Sequence, residues 1–148
     1  LWEDGTFHSI IADAISGSGM HPRTKMPRFW LPVRDVAEAI RVMVIENKLP
    51  LPGQPLLMAG RRPWWPDSVY AEAIHLWTRY SASLEGKHNP RSLEQPPLVP
   101  LPRGHDSIVR PNLEDIDSHM RKCGEPVGWR PSGSLRLAIM RVFANLYD

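Results

Sequence analysis

Apolar residues recur at helical spacing in five stretches of the chain. Phe7, Ile10, Ile11, Ala14 and Ile15 share one face of a helix predicted over Phe7 to Ser16. Gly17-Ser18-Gly19 ends it, because glycine accepts the left-handed conformation at a helix C-terminus. Val36, Ala39, Ile40, Met43 and Val44 predict a second helix over Asp35 to Glu46, with Asp35 as its N-cap. A third opens at an Asp67 cap and carries Val69, Ala73, Ile74 and Trp77. Asn112 caps a fourth, short one through Leu113, Ile116 and Met120, with Gly124 as its stop. Ser132 or Ser134 caps the last, whose face is Leu135, Ile139, Val142, Phe143 and Leu146.

Two segments have the other signature. Arg28 to Pro32 is a short extended run, and Leu56 to Ala59 is an apolar run bounded by Pro55 and Gly60, as a buried strand would be. The order is helix, strand, helix, strand, helix, long loop, helix, helix. It predicts an α/β fold with few strands, whose apolar helix faces pack on a sheet supplied by sequence outside this chain. The long loop is Ser81 to Arg110, rich in proline and extended through Pro96-Pro97-Leu98-Val99-Pro100-Leu101-Pro102. No internal repeat interrupts this order, and residues 1–148 are expected to form a single region.

Composition narrows the class. Hydrophobic residues at 42% and charged residues at 23% exclude a disordered chain. A net charge of +2, with no basic run interleaved with aromatics, argues against nucleic acid as a partner. No apolar stretch approaches the roughly 18 residues of a membrane span. The lone Cys123 excludes an internal disulfide and suits a reducing compartment, so a cytoplasmic setting is expected. The start at Leu1-Trp2-Glu3-Asp4-Gly5 has neither a secretion-signal pattern nor an initiator Met, as expected of a chain that begins inside a longer polypeptide.

Four segments, taken together, resemble the extended short-chain dehydrogenase/reductase family of NAD-dependent epimerases and dehydratases. Phe7 to Gly17 is similar to the family's F-x-x-x-I-x-x-A-[IL]-x-G helix. Arg28-Phe29-Trp30-Leu31-Pro32-Val33-Arg34-Asp35-Val36-Ala37-Glu38-Ala39-Ile40 resembles a family segment running from Arg through aromatics into V-x-D and A-x-A. Arg103-Gly104-His105-Asp106 is similar to the R-P-G-D segment, with His105 shifting the spelling. Gly128-Trp129-Arg130-Pro131 followed by Leu135 resembles the closing G-W-x-P-x-x-x-L motif. The matches occur in family order and span most of the chain.

The resemblance implies a helix-rich, C-terminal substrate-binding lobe beside a Rossmann domain. That Rossmann half would bind NAD or NADP on a G-x-x-G-x-x-G turn and supply the Y-x-x-x-K acid/base. Neither motif occurs here, so no cofactor-binding or catalytic residue is expected in this chain. Arg28 would contact a nucleotide-sugar phosphate, since a guanidinium offers a planar fork to phosphate oxygens. Arg103 would bind the pyrophosphate and Asp106 a ribose hydroxyl. The complete protein would handle a nucleotide-sugar or similar small substrate and could pair as a homodimer through its cofactor domain.

Other clusters have plainer readings. None of the six histidines pairs at metal-ligand spacing and Cys123 has no C-x-x-C partner, so no metal site is expected. Trp64-Trp65 beside Arg61-Arg62 could stack a base or sugar, but reads first as a hydrophobic plug before a helix. A rival function is a non-catalytic interaction module that uses Trp64-Trp65 and the P-x-x-P of Pro97 to Pro100.

Overall fold

A computed structural model describes residues 6–19, 26–87 and 108–145. Five helices form among them: α1 Thr6–Ser16, α2 Val33–Ile45, α3 Pro66–Leu84, α4 Glu114–Lys122 and α5 Leu135–Asn145. No strand and no sheet occur among the described residues, so this part of the chain is all-helical and the α/β expectation is overturned.

The physical reason lies in where the backbone donors go. Arg28 and Trp64 exchange N–H···O bonds of 2.9 Å in both directions, one isolated antiparallel bridge. The ladder cannot grow toward Pro66, which has no N–H and begins α3. Leu56 to Ala59 keeps the alternation of an extended chain, with Leu56 and Met58 against the core and Leu57 at 54% exposure. It has the period of a strand without a partner strand among the described residues.

Helix ends explain the boundaries. α2, α3 and α4 all finish in the same closure, in which the residue after the C-cap takes a positive φ and the next N–H reaches back to close the last turn. The positions are Asn47 (φ 51), Gly86 (φ 65) and Gly124 (φ 93). The closing bonds are Lys48 N–H to Met43 O, Lys87 N–H to Ala82 O and Glu125 N–H to Met120 O. Gly124 is thus the stop that the sequence predicts. At the other end of α5, Ser134 Oγ accepts the Leu137 N–H at 3.2 Å, which selects Ser134 over Ser132 as the cap. Asn112 Oδ1 accepts the N–H of Glu114, the first residue of α4, at 2.9 Å, although Leu113 occupies the cap position itself.

Two expected caps are corrected. α2 starts at Val33 after Pro32, which places Asp35 inside the first turn. α3 starts at Pro66 with Trp65 as the N-cap, and Asp67 Oδ1 accepts the Ser68 N–H at 2.9 Å. A proline at the first helical position needs no donor there and has its φ already set, so it outcompetes the Asp67 cap. The expected loop over 81–110 is also shortened, since residues 81–84 belong to α3. Its portion 88–107, with the P-x-x-P segment, lies outside the described residues.

The described residues divide into two compact units, one comprising 6–19, 26–28, 64–87 and 134–145, the other 29–63 and 108–133. In the first, α1, α3 and α5 pack pairwise. Ile10, Ile11 and Ala14 from α1, Val69 and Ala73 from α3, and Ile139, Val142 and Phe143 from α5 are buried there. Trp77 meets Phe143 edge-on with centroids 5.1 Å apart, and Tyr80 lies 5.8 Å from the same ring. In the second unit, Ala39 and Met43 of α2 close on Ile116 and Met120 of α4, with Cys123 and Trp129 completing the cluster. Lys48 Nζ donates to Lys122 O at 2.5 Å, placing an ammonium on the C-terminal carbonyls of α4.

No helix among the described residues is long and apolar enough to cross a membrane.

Candidate functional site

Among the described residues, the second unit carries a connected polar assembly. Asp117, on α4, is its centre. Its Oδ1 accepts from the Trp129 backbone N–H at 3.0 Å and from Arg61 Nη2 at 3.0 Å, and its Oδ2 accepts from Arg121 Nε at 3.0 Å. Arg121 sits one helical turn beyond Asp117, the spacing at which the two side chains meet. Arg121 Nη1 also donates to Pro126 O at 2.7 Å, and Arg61 Nε to Trp129 O at 2.9 Å. Two guanidiniums and one carboxylate therefore clamp the turn over 126–129. The hydrogen bond from Arg121 holds the Asp117 carboxyl below the usual carboxylate range. The charge of Arg121, the Trp129 N–H and the charge of Arg61 add to that effect, against partial desolvation.

The same turn explains the Gly-Trp segment. Gly128 takes φ 68, and a Cβ there would meet the Asp117 carboxylate at 2.5–2.7 Å. Only glycine lets the backbone lie against that group. Trp129 is then delivered into the core, with its indole N–H donating to Ala59 O at 3.0 Å. Gly60, next along, passes so close to the Trp30 carbonyl oxygen that any Cβ would overlap it.

Asp35 makes the other long-range link. Its buried carboxylate accepts from the Ser132 N–H at 3.2 Å, the Ser132 hydroxyl at 3.1 Å and the Gly133 N–H at 3.0 Å. These partners lie 97 and 98 positions away, so Asp35 staples two distant segments.

A groove of about 590 Å³ opens beside Asp117. Arg61, Arg121, Arg130, Asn112, Ser118 and Glu114 line it together with Asp117.

Of the three expected substrate-binding residues, Arg28 is exposed and has its backbone bridged to Trp64. Arg103 and Asp106 lie outside the described residues. Trp64 and Trp65 are half-buried, Trp64 in that bridge and Trp65 at the start of α3. Cys123 is buried in the second unit's core. No group of three or more potential metal ligands occurs among the described residues. The Asp117 assembly was not anticipated. Its Asp117–Arg121 half carries a readable signal in the spacing along α4, whereas Arg61 enters from 56 positions away.

No family model, curated protein or solved structure matches the chain.

Proposed function

We propose that this chain is the substrate-binding part of an NAD(P)-dependent epimerase, dehydratase or reductase acting on a nucleotide-sugar or similar substrate. The nicotinamide and the acid/base group come from a Rossmann half outside it. The complete protein transfers hydride between substrate and cofactor, while this chain binds and orients the substrate.

The observation that supports this reading is the Asp35 staple. Asp35 belongs to the segment that begins at Arg28, and Ser132 and Gly133 directly follow Gly128-Trp129-Arg130-Pro131. Two segments carrying the resemblance are therefore bonded to each other through a buried carboxylate. Arg28 is exposed, and its backbone is bonded to Trp64 in both directions; a guanidinium there suits a phosphate contact.

Calorimetric titration of a UDP-hexose into the protein tests this. Saturable binding is expected, weakened about tenfold by Arg28→Ala, the loss of one charge-assisted contact. Absence of binding, or equal affinity in the variant, overturns the assignment. The rival reading, a non-catalytic interaction module, would use Trp64 and Trp65 together with the P-x-x-P of Pro97 to Pro100, which lies outside the described residues.

A further inference from the structure

We propose that the groove beside Asp117 is a second anion site, for a phosphate ester or pyrophosphate, centred on Arg130. It goes beyond the substrate assignment above, because Arg28 is not among the residues that line it.

The case begins with unused donors. Arg130 is exposed and makes no hydrogen bond or ion pair among the described residues, so its whole guanidinium fork is available. Asn112 spends its carbonyl oxygen on the Glu114 N–H, and its amide nitrogen has no partner among the described residues. Ser118 adds an uncommitted hydroxyl to the same lining. Arg61 and Arg121 spend Nε and part of their forks on Asp117, Trp129 O, Pro126 O and Val127 O, and each retains N–H groups. Their side chains stay 42% and 52% exposed.

Asp117 decides how these donors act. By holding Arg61 and Arg121 from one point it fixes both guanidiniums before any ligand arrives, which removes much of the ordering cost of binding. Three guanidiniums against the carboxylates of Asp117 and Glu114 leave the lining with one positive charge, so an anion is favoured. The chemistry follows from donor number. A carboxylate's two oxygens accept about four hydrogen bonds, fewer than three arginines, an amide and a hydroxyl can donate. A phosphate group offers three or more oxygens and matches guanidinium geometry. The volume of about 590 Å³ admits a phosphorylated small molecule rather than a bare ion alone.

The test titrates inorganic pyrophosphate into the ¹⁵N-labelled chain and follows backbone amide shifts. Saturable shifts are expected at Ser118, Arg121 and Arg130. Arg130→Ala should weaken binding about tenfold or more. Arg130→Lys should fall between, keeping charge but losing the fork. Arg28→Ala should leave the groove shifts unchanged, which separates this site from the substrate assignment. Helicity is expected to survive Arg130→Ala, since Arg130 holds nothing in place. As a second probe, Ser118→Glu should abolish binding by setting a carboxylate over the groove. Equal affinity in Arg130→Ala and Ser118→Glu, or shifts that follow Arg28 instead, overturns the proposal.

Discussion

Asp117 takes three donors on two oxygens, and Arg121 and Trp129 depend on it for their placement. Because its carboxyl is held below the ordinary range, it binds fewer protons when folded than when unfolded. The stability it contributes is therefore fully present above the unfolded value and is lost as pH falls through the folded one. Urea unfolding followed across pH should show a fall in stability setting in below about pH 4. Asp117→Asn should be less stable at neutral pH and flatter in that acid range. Identical slopes for the two proteins would remove Asp117 as the cause. At this scale the sequence was partly legible. The i,i+4 pairing of Asp117 with Arg121 follows from spacing alone. The role of Asp35 does not, because an acid near a helix start reads as a cap, and its true partners at Ser132 and Gly133 are set by the tertiary fold.

Helices α3 and α5 are joined by a charged pair as well as by aromatic packing. Glu72 is 2% exposed and accepts from Arg136 Nε, while its Oε2 has no hydrogen-bond partner. Removing the cation leaves a buried carboxylate unpaired, which costs more than the attraction itself is worth. Arg136→Ala is expected to destabilise the first unit by about 1.5–3 kcal/mol, below the range for a fully buried pair because Arg136 keeps much of its surface in water. Adding Glu72→Gln should recover part of that loss in a double-mutant denaturation cycle, whereas additive losses would argue against the pairing. The five helices themselves were legible, since each apolar stripe formed one. The two strands were not, because alternation such as that of Leu56, Leu57 and Met58 specifies an extended chain and says nothing about a neighbouring strand. The length of α3 was also missed. The proline-rich composition beyond Ser81 hid a last turn that follows directly on Tyr80, which packs on Phe143.

Among the described residues, burial is unevenly satisfied. α2 buries Ala39 and Met43 but leaves Val33, Ile40 and Val44 exposed at 49%, 46% and 56%. Their spacing along the helix puts them on one face. Leu49 and Leu51, just beyond α2, are exposed at 59% and 66%. Exposed apolar surface of this kind binds hydrophobic dyes. The native chain is expected to enhance the fluorescence of anilinonaphthalene sulfonate, and Ile40→Lys with Val44→Lys should suppress the signal while far-UV helicity persists. Dye binding unaffected by the double variant would locate the apolar surface elsewhere.

Gly60 and Gly128 add a consequence for how variation in this protein is interpreted. One is pressed against the Trp30 carbonyl and the other against the Asp117 carboxylate, so neither position can accept a side chain without displacing its neighbour. Natural selection would hold both fixed for reasons of space alone. Among diverged relatives they would stand out as invariant columns and invite reading as contacts to substrate. Any map of evolutionary constraint over this chain should set aside these two positions before the remaining invariant residues are taken as marks of chemistry.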